Sequence, residues 1–284
     1  MGDGTAMIHF DGHLHTTHSD GVHDVGALFA LLAKSGVHAA VLTDHDTTKG
    51  SDEFRERAAA AGVEAFTGVE MSVGHRGQER HILAYFAAPA RDSPAWRAFT
   101  EALQQARSRR RAHLPRYLAK LAELGMPLTE AEVLAHASEE TVGRPHIARA
   151  LLKRGYVTSM NDAFDRFLGT GKPAFIMREY SEASDMVRLA KAAGGLTSIA
   201  HPRVSGVMLD ELDELKSLGL DAIEVHHPQH DTSALVDYLR FAHDLQLLVT
   251  GGSDFHGGHS DEGAPQPGSC GLDAADYARF KAAL

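Results

Sequence analysis

The chain has 284 residues, 43% apolar and 23% charged, with a formal net charge of −10 at pH 7, the profile of a globular enzyme built as one sizeable domain or a domain with an insert. No apolar run approaches the roughly 20 residues a membrane helix needs, and the negative charge argues against an extended nucleic-acid surface while leaving room for a small anion in a locally positive pocket. One cysteine, Cys270, precludes an intramolecular disulfide and suits a reducing compartment; residues 1–7 are small and polar without the basic and apolar regions of a signal peptide, so the expected location is the cytoplasm.

The first predicted strand, 8–14, takes its apolar context from Ile8, Phe10 and Leu14 and carries Asp11-Gly12-His13-Leu14-His15, followed by Ser19-Asp20-Gly21. Residues i and i+2 of a strand share a face, so His13 and His15 can chelate one ion, and Asp20 sits in a glycine-punctuated turn from which a carboxylate reaches a neighbouring ion. Alone, the H-x-H pair reads more readily as part of a surface loop rich in histidine and aspartate. A helix over 24–35 follows, with Leu28, Leu31 and Leu32 at helical spacing and Gly36 as its stop. The strand 39–43 is an unbroken apolar run, the pattern of a buried parallel strand, ending in Asp44-His45-Asp46. His45 is the expected ligand. Asp44 and Asp46 are candidates to orient imidazoles or take a proton, one of them serving the turn instead.

After a helix at 51–61, the strand 64–69 ends in Glu70, and His81 opens the strand 80–86. Strand–helix alternation returns with a helix at 182–193, the strand 196–200 ending in His201-Pro202, a helix at 208–218, the strand 221–226, a helix at 233–245, and the strand 247–251 leading into Ser253-Asp254-Phe255-His256. Each such end is weak evidence alone; together they supply six histidines and three carboxylates at strand termini, where α/β folds place function. Mixed imidazole and carboxylate donors suit Mn²⁺, Zn²⁺ or Fe²⁺ and an ion-activated water. Glu224, His226, His227 and His230 follow the strand 221–226 and are expected at the mouth as substrate or supporting contacts, none of them as a ligand. Alternation of this kind predicts a parallel barrel or sheet, and seven strands favour an irregular barrel.

Residues 92–178 break the alternation. They contain no convincing strand and read as helices near 96–125, 129–137, 145–154 and 158–168, an insert expected to fold over the barrel mouth, leaving 1–91 and 179–284 as the barrel. Within it, Arg107-Ser108-Arg109-Arg110-Arg111 reads as a solvated helix face. Arg144, His146 and Arg149 surround a helix start at Pro145, an arrangement suited to an anion. Gly169-Thr170-Gly171-Lys172-Pro173 is a glycine-flanked lysine without the spacing of a phosphate-binding P-loop.

Taken in order, H-x-H-x4-S-D-G, T-D-H-D, G-x-E, an inner histidine, A-H-P and G-S-D-x-H resemble the PHP (polymerase and histidinol phosphatase) superfamily over nearly the whole chain, and Gly143-Arg144-Pro145-His146 with Gly169-Thr170-Gly171-Lys172-Pro173 resemble its small bacterial nucleotide phosphoesterases. The resemblance implies an α/β fold, a distorted (β/α)7 barrel with a helical cap, and two to three divalent ions, Mn²⁺ foremost. It implies a first ion on His13, His15, Glu70 and Asp254, a second on Asp20, His45 and His256, and a third on Glu70, His81 and His201. It places Arg144, His146, Arg149 and Lys172 near the substrate phosphate. The implied reaction is hydrolysis of a small phosphorylated nucleotide, a nucleoside 3′,5′-bisphosphate or a short oligoribonucleotide end. Alternatives are a sugar, histidinol or cyclic ribose phosphate, a C–N amidohydrolase, or a non-catalytic metal-stabilised module.

Overall fold

The computed structural model describes residues 8–137, 141–257 and 265–284; the expectation for residues 1–7 lies outside them. Eight strands form one sheet: β1 (Phe10–Leu14), β2 (Ala39–Leu42), β3 (Glu64–His75), β4 (Gln78–Phe86), β5 (Ser181–Glu182), β6 (Leu196–Ile199), β7 (Ala222–His226) and β8 (Leu248–Gly251). The order is β1-β2-β3-β4-β6-β7-β8, with the short β5 pairing the far end of β3. The first and last strands meet through isolated contacts: Leu14 bridges Phe255, Phe10 bridges Leu272, and the His15 N–H donates to the Phe255 carbonyl at 3.0 Å. The sheet is thus a nearly closed barrel of seven strands.

One departure from simple βα alternation reshapes the mouth. β3 and β4 form a long antiparallel hairpin, and β4 is antiparallel to β6 as well. The hairpin turns at Arg76 and Gly77, both at positive φ (50° and 70°), the primed-turn geometry whose twist matches paired strands. Both strands therefore run past their expected limits, to His75 and from Gln78. No helix intervenes, so β4 enters the barrel from the opposite direction and brings His81 near its own start.

The helices are α1 (Val25–Ser35), α2 (Ser51–Ala60), α3 (Pro94–Ala112), α4 (Leu114–Glu123), α5 (Glu130–Leu134), α6 (Arg144–Lys153), α7 (Met160–Ala163) leading into a π-helical turn at Phe164–Leu168, α8 (Ala183–Ala192), α9 (Pro202–Ser205), α10 (Leu209–Ser217), α11 (Thr232–Asp244) and α12 (Ala274–Ala283). The short α9 and the C-terminal α12 carry no clear signal in the sequence; α12 buries Tyr277 and Phe280 against Phe10 and Tyr85 of the barrel. No helix among the described residues is long and apolar enough to cross a membrane.

The hydrophobic clusters divide the insert differently from the sequence. Trp96, Phe99 and Leu103 of α3 pack with Val69, Ile82, Phe86 and the α8 residues Met186 and Val187, so α3 belongs to the barrel's helical layer. A separate cluster, from Leu114 and Tyr117 through Ile147 and Leu151 to Leu168 and Ile176, forms the cap. Most of the basic run on α3 is not a solvated face: the Arg107 guanidinium donates to the Asp46 carbonyl, Arg109 to Ser181, and Arg110 to Asp46 Oδ2 at 2.7 Å and to Ser72. These bonds tie α3 to the loop after β2, to β3 and to β5. Arg111 alone is half-exposed, beside Glu130.

Candidate metal centre

The nine expected ligands converge at the barrel mouth. His13 and His15 leave β1 on one face and are fully buried. His13 Nε2 lies 3.4 Å from Glu70 Oε2 and 3.3 Å from Asp254 Oδ1, while His15 Nε2 lies 3.3 Å and 3.4 Å from the same two atoms. His45 Nδ1 approaches Glu70 Oε2 to 3.0 Å. On the other side of the cluster, His81 Nδ1 and His201 Nε2 sit 2.8 Å and 3.0 Å from Glu70 Oε1. Asp20 faces His45, His256 and His15 at 3.6, 3.2 and 3.7 Å. Groups able to hold an ion are His13–His15–Asp254, His15–Asp20–His45–His256 and His45–Glu70–His81.

Whether these residues fit metal ions is tested by their own unsatisfied atoms. His13 Nε2, His15 Nε2, His45 Nδ1 and Glu70 Oε2 are buried without a hydrogen-bond partner. Burying four polar atoms this way is costly unless something else meets them. Donors about 2.0–2.2 Å from a shared ion stand roughly 3.0–3.5 Å apart at tetrahedral or octahedral angles, the separation found here. The fit is good.

In four of the histidines the other ring nitrogen already has a partner. His13 Nδ1 meets Glu224 Oε1 at 2.9 Å, His15 Nδ1 meets Ser19 Oγ at 3.3 Å, His201 Nδ1 meets Ser205 Oγ at 3.1 Å and His256 Nδ1 meets the Asp254 carbonyl at 2.9 Å. In each case Nε2 is left facing the cluster, the usual way outer partners orient a ligating imidazole. The strand ends are strained to achieve this: Asp46, His201 and Asp254 hold positive φ of 55°, 30° and 51°, at about 1–3 kcal/mol each.

Electrostatically the centre pairs against itself. Burial pushes the Glu70 carboxyl up, but His45, His81 and His13 outweigh it and hold it well below the usual range; Asp20 and Asp254 behave alike, held down chiefly by His45 and His13 respectively. Burial pulls His81 and His256 down, yet Glu70 raises the first to about 9, and Asp20 with Asp254 raises the second to about 10. For His45, burial wins and its pKa falls. Protons thus occupy, in the metal-free chain, part of the charge that divalent ions would supply.

The remaining expected residues are distributed unevenly. Asp44 accepts from the Thr16 N–H and hydroxyl and from Ser19 Oγ, and Asp46 from the Ser72 N–H and Arg110; both brace the loops that carry ligands. Arg144 donates to Glu79 Oε2 at 2.9 Å, and Glu79 Oε1 lies 3.6 Å from His81 Nε2. Arg149 reaches the Asp20 carbonyl. His146 is a strut: its Nδ1 accepts from the Gly143 N–H and its Nε2–H donates to the Ser19 carbonyl, so neither nitrogen is left for a substrate. The Lys172 side chain is exposed and has no polar partner among the described residues, since its loop spends its backbone closing the turn after the π-helical segment. His226 lies away from the cluster. A register irregularity between Glu224 and His226 re-aims it, and although burial lowers its pKa, the carboxylates acting on it are Asp276 and Asp273. His230 donates to the Val225 carbonyl and packs between the rings of His227 and Tyr238.

Of three further contributors, Glu224 and His227 belong to the group expected at the mouth, and Arg178 escapes the sequence reading. Glu224 accepts from the His13 ring and from the His201 N–H at 2.7 Å; its signal was an acid within the apolar run of β7, which burial leaves viable only if paired. His227, not His226, reaches Asp254 Oδ2 at 3.3 Å. Arg178 joins Arg144 on Glu79, and no motif marks it.

A seven-stranded barrel whose strand ends gather six imidazoles and three carboxylates around unsatisfied buried atoms defines a metal-dependent hydrolase. The PHP domain profile matches residues 11–154, and the chain belongs to the PHP family as a metal-dependent phosphoesterase. It is similar over 87% of its length to a 5′-3′ exoribonuclease of Haemophilus influenzae (32% identity, 89% of that protein) and over 88% to a 3′,5′-nucleoside bisphosphate phosphatase of Chromobacterium violaceum (28% identity, 88% of that protein). A phosphoribosyl 1,2-cyclic phosphate 1,2-diphosphodiesterase of Eggerthella lenta is 32% identical over 87% of the chain and 94% of that protein. A Bifidobacterium adolescentis crystal structure, designated a metal-dependent phosphoesterase, superposes with a TM-score of 0.85 at 29% identity, covering 96% of both chains.

Proposed function

We propose that the chain hydrolyses a phosphate ester of a small nucleotide, a nucleoside 3′,5′-bisphosphate or the 5′ end of a short oligoribonucleotide, with two to three divalent ions. The observation that carries this reading is the set of four buried atoms on His13, His15, His45 and Glu70 that lack a hydrogen-bond partner, near two arginines that share one carboxylate. His13, His15, Glu70 and Asp254 would hold one ion, Asp20, His45 and His256 a second, and Glu70, His81 and His201 a third. Mn²⁺ is the favoured occupant, with Zn²⁺ or Fe²⁺ as alternatives. When bound, such ions lower the pKa of water and neutralise phosphoryl oxygens.

The chain's own residues do the rest. Glu224 and Ser19 hold His13 and His15 with Nε2 inward, and His227 steadies Asp254 from behind. Arg144, with Arg178 in the place expected of Lys172, supplies fixed positive charge beside His81, where a phosphate can exchange against Glu79. The barrel carries the chemistry and the cap selects the substrate. The names of the relatives support a nucleotide over a sugar or histidinol phosphate, and a cyclic ribose phosphate is the nearest rival. The single cysteine supports a cytoplasmic setting.

The test is a phosphate-release screen of the Mn²⁺-supplied protein over mononucleotides, nucleoside bisphosphates, short 5′-phosphorylated oligoribonucleotides, cyclic ribose phosphates and sugar phosphates, alongside elemental analysis. Two to three equivalents of metal and a preference for a nucleotide are expected. Less than one equivalent with no gain on adding Mn²⁺, or turnover confined to non-nucleotide esters, would overturn the reading.

A further inference from the structure

Between barrel and cap runs a groove of about 990 Å³ that starts at two of the proposed ligands, Asp20 and His256. Its barrel wall is Val22, His23 and Gly257, and its cap wall includes Leu152, Met160 and Phe164. Val22 and Leu152, 42% and 38% exposed, leave apolar surface in the lining of this groove. Arg149, Lys153 and His136 lie along the same groove, and His136 Nε2 is buried and unpaired. The volume stands at the top of the roughly 300–1,000 Å³ range that encloses one small ligand, more than a single nucleotide requires.

The cap wall is shaped by an unusual backbone turn. The chain leaves α7 in a π-helical turn closed by the Gly169 N–H on the Phe164 carbonyl at 2.9 Å, a geometry concentrated at functional positions because it re-aims a side chain. A Cβ on Gly169 would stand 2.7 Å from that same carbonyl, so only glycine closes the turn as built. The motif Gly169-Thr170-Gly171-Lys172-Pro173 makes no contact with the ligand cluster among the described residues, and its role is to hold Phe164 in the groove wall.

We infer that this groove is a base-binding subsite that seats the nucleosides next to the scissile phosphate, with Phe164 as the stacking platform and Arg149 and Lys153 flanking the backbone. A positive groove with an aromatic platform is how single strands are held without sequence preference. The occupant is a single-stranded oligonucleotide end at least two nucleotides long. This rests on the nucleotide reading above and narrows it, because a mononucleotide or a sugar phosphate leaves most of the groove empty.

The test compares a phosphorylated mononucleotide, di- and trinucleotides bearing a 5′-phosphate, and a generic aryl phosphate, on the full metal-loaded chain and on Phe164→Ala and Leu152→Ser, each checked for fold by circular dichroism. The expected result is a kcat/KM that rises with length in the parent chain and a loss of roughly 5- to 150-fold on the oligonucleotides in Phe164→Ala, carried mainly by KM, with aryl phosphate turnover unchanged. Leu152→Ser, on an exposed helix face, keeps the test usable if Phe164→Ala misfolds, and the same selective loss is expected of it. Equal activity on mononucleotide and trinucleotide overturns the subsite while leaving the nucleotide reading intact. Turnover of the aryl phosphate with none of any nucleotide overturns both.

Discussion

The barrel mouth and the cap face each other across the same centre but are organised by different rules. At the mouth, most candidate ligands stand at strand ends; Glu224 and Ser19 brace His13 and His15, and Asp44 braces the loop that carries Asp20, so their positions are set largely by the sheet. In the cap, Arg144 and Arg149 reach the barrel from one helix and answer to single barrel groups, Glu79 and the Asp20 carbonyl. The candidate ligands thus belong to the sheet, whereas the cap has a hydrophobic core of its own; in the division proposed above, the first does the chemistry and the second selects the substrate.

If that division holds, damage at the mouth must exceed damage in the cap. Asp254→Ala removes a carboxylate that faces His13, His15 and His256. Phosphate release should fall by well over the roughly 10–100-fold that loss of an outer partner costs, with metal content reduced by elemental analysis; near-parental turnover would remove Asp254 from the centre. Next comes a pH effect. His81 and His256 carry protons in the metal-free chain up to about pH 9 and 10, so ions must displace them, and affinity should weaken as pH falls. Between pH 8 and 7 the drop should be up to about tenfold per displaced proton, read by chelator competition; a flat response would mean that neither histidine ligates.

Of comparable size, Glu224→Gln keeps the shape but loses the charge behind His13, and metal affinity should weaken about 10–100-fold; unchanged affinity would make Glu224 a packing residue only. In the cap, Arg178→Ala removes a charge-assisted contact of about 1.5–3 kcal/mol, so kcat/KM should fall by one to two decades with metal content untouched. Loss of metal in this variant would instead assign Arg178 to the frame and blur the comparison. The smallest effect belongs to Lys172→Ala. With its side chain in solvent, stability should stay within about 0.5 kcal/mol and kcat/KM within about twofold; a tenfold loss would bring that loop back to the phosphate.

The same contrast governs what the sequence could reveal. The candidate ligands at the mouth were legible as an ordered set, because several apolar runs in turn end in a histidine or an acid, and the nine side chains converge. Partnerships across the fold were not: nothing near Glu79 announces Arg144 and Arg178, which lie 65 and 99 residues away. His227 and His226 are neighbours in the chain, and only the irregularity in β7 decides which one reaches Asp254. The α3 helix has the same polar surface as a cap helix, and the apolar face formed by Trp96, Phe99 and Leu103 does not say which unit it covers. The hairpin of β3 and β4 hid behind Arg76, whose left-handed conformation few arginines adopt.

The seam of the barrel has a further consequence. The first and last strands share isolated contacts and no continuous ladder, yet His13 and His15 stand on one side of the join and Asp254 and His256 on the other. Filling the centre would rivet together two stretches separated by about 240 residues of chain, adding stability that grows with free metal by mass action. Without the ions the join would rest on its few backbone hydrogen bonds, which makes it the place where local opening costs least.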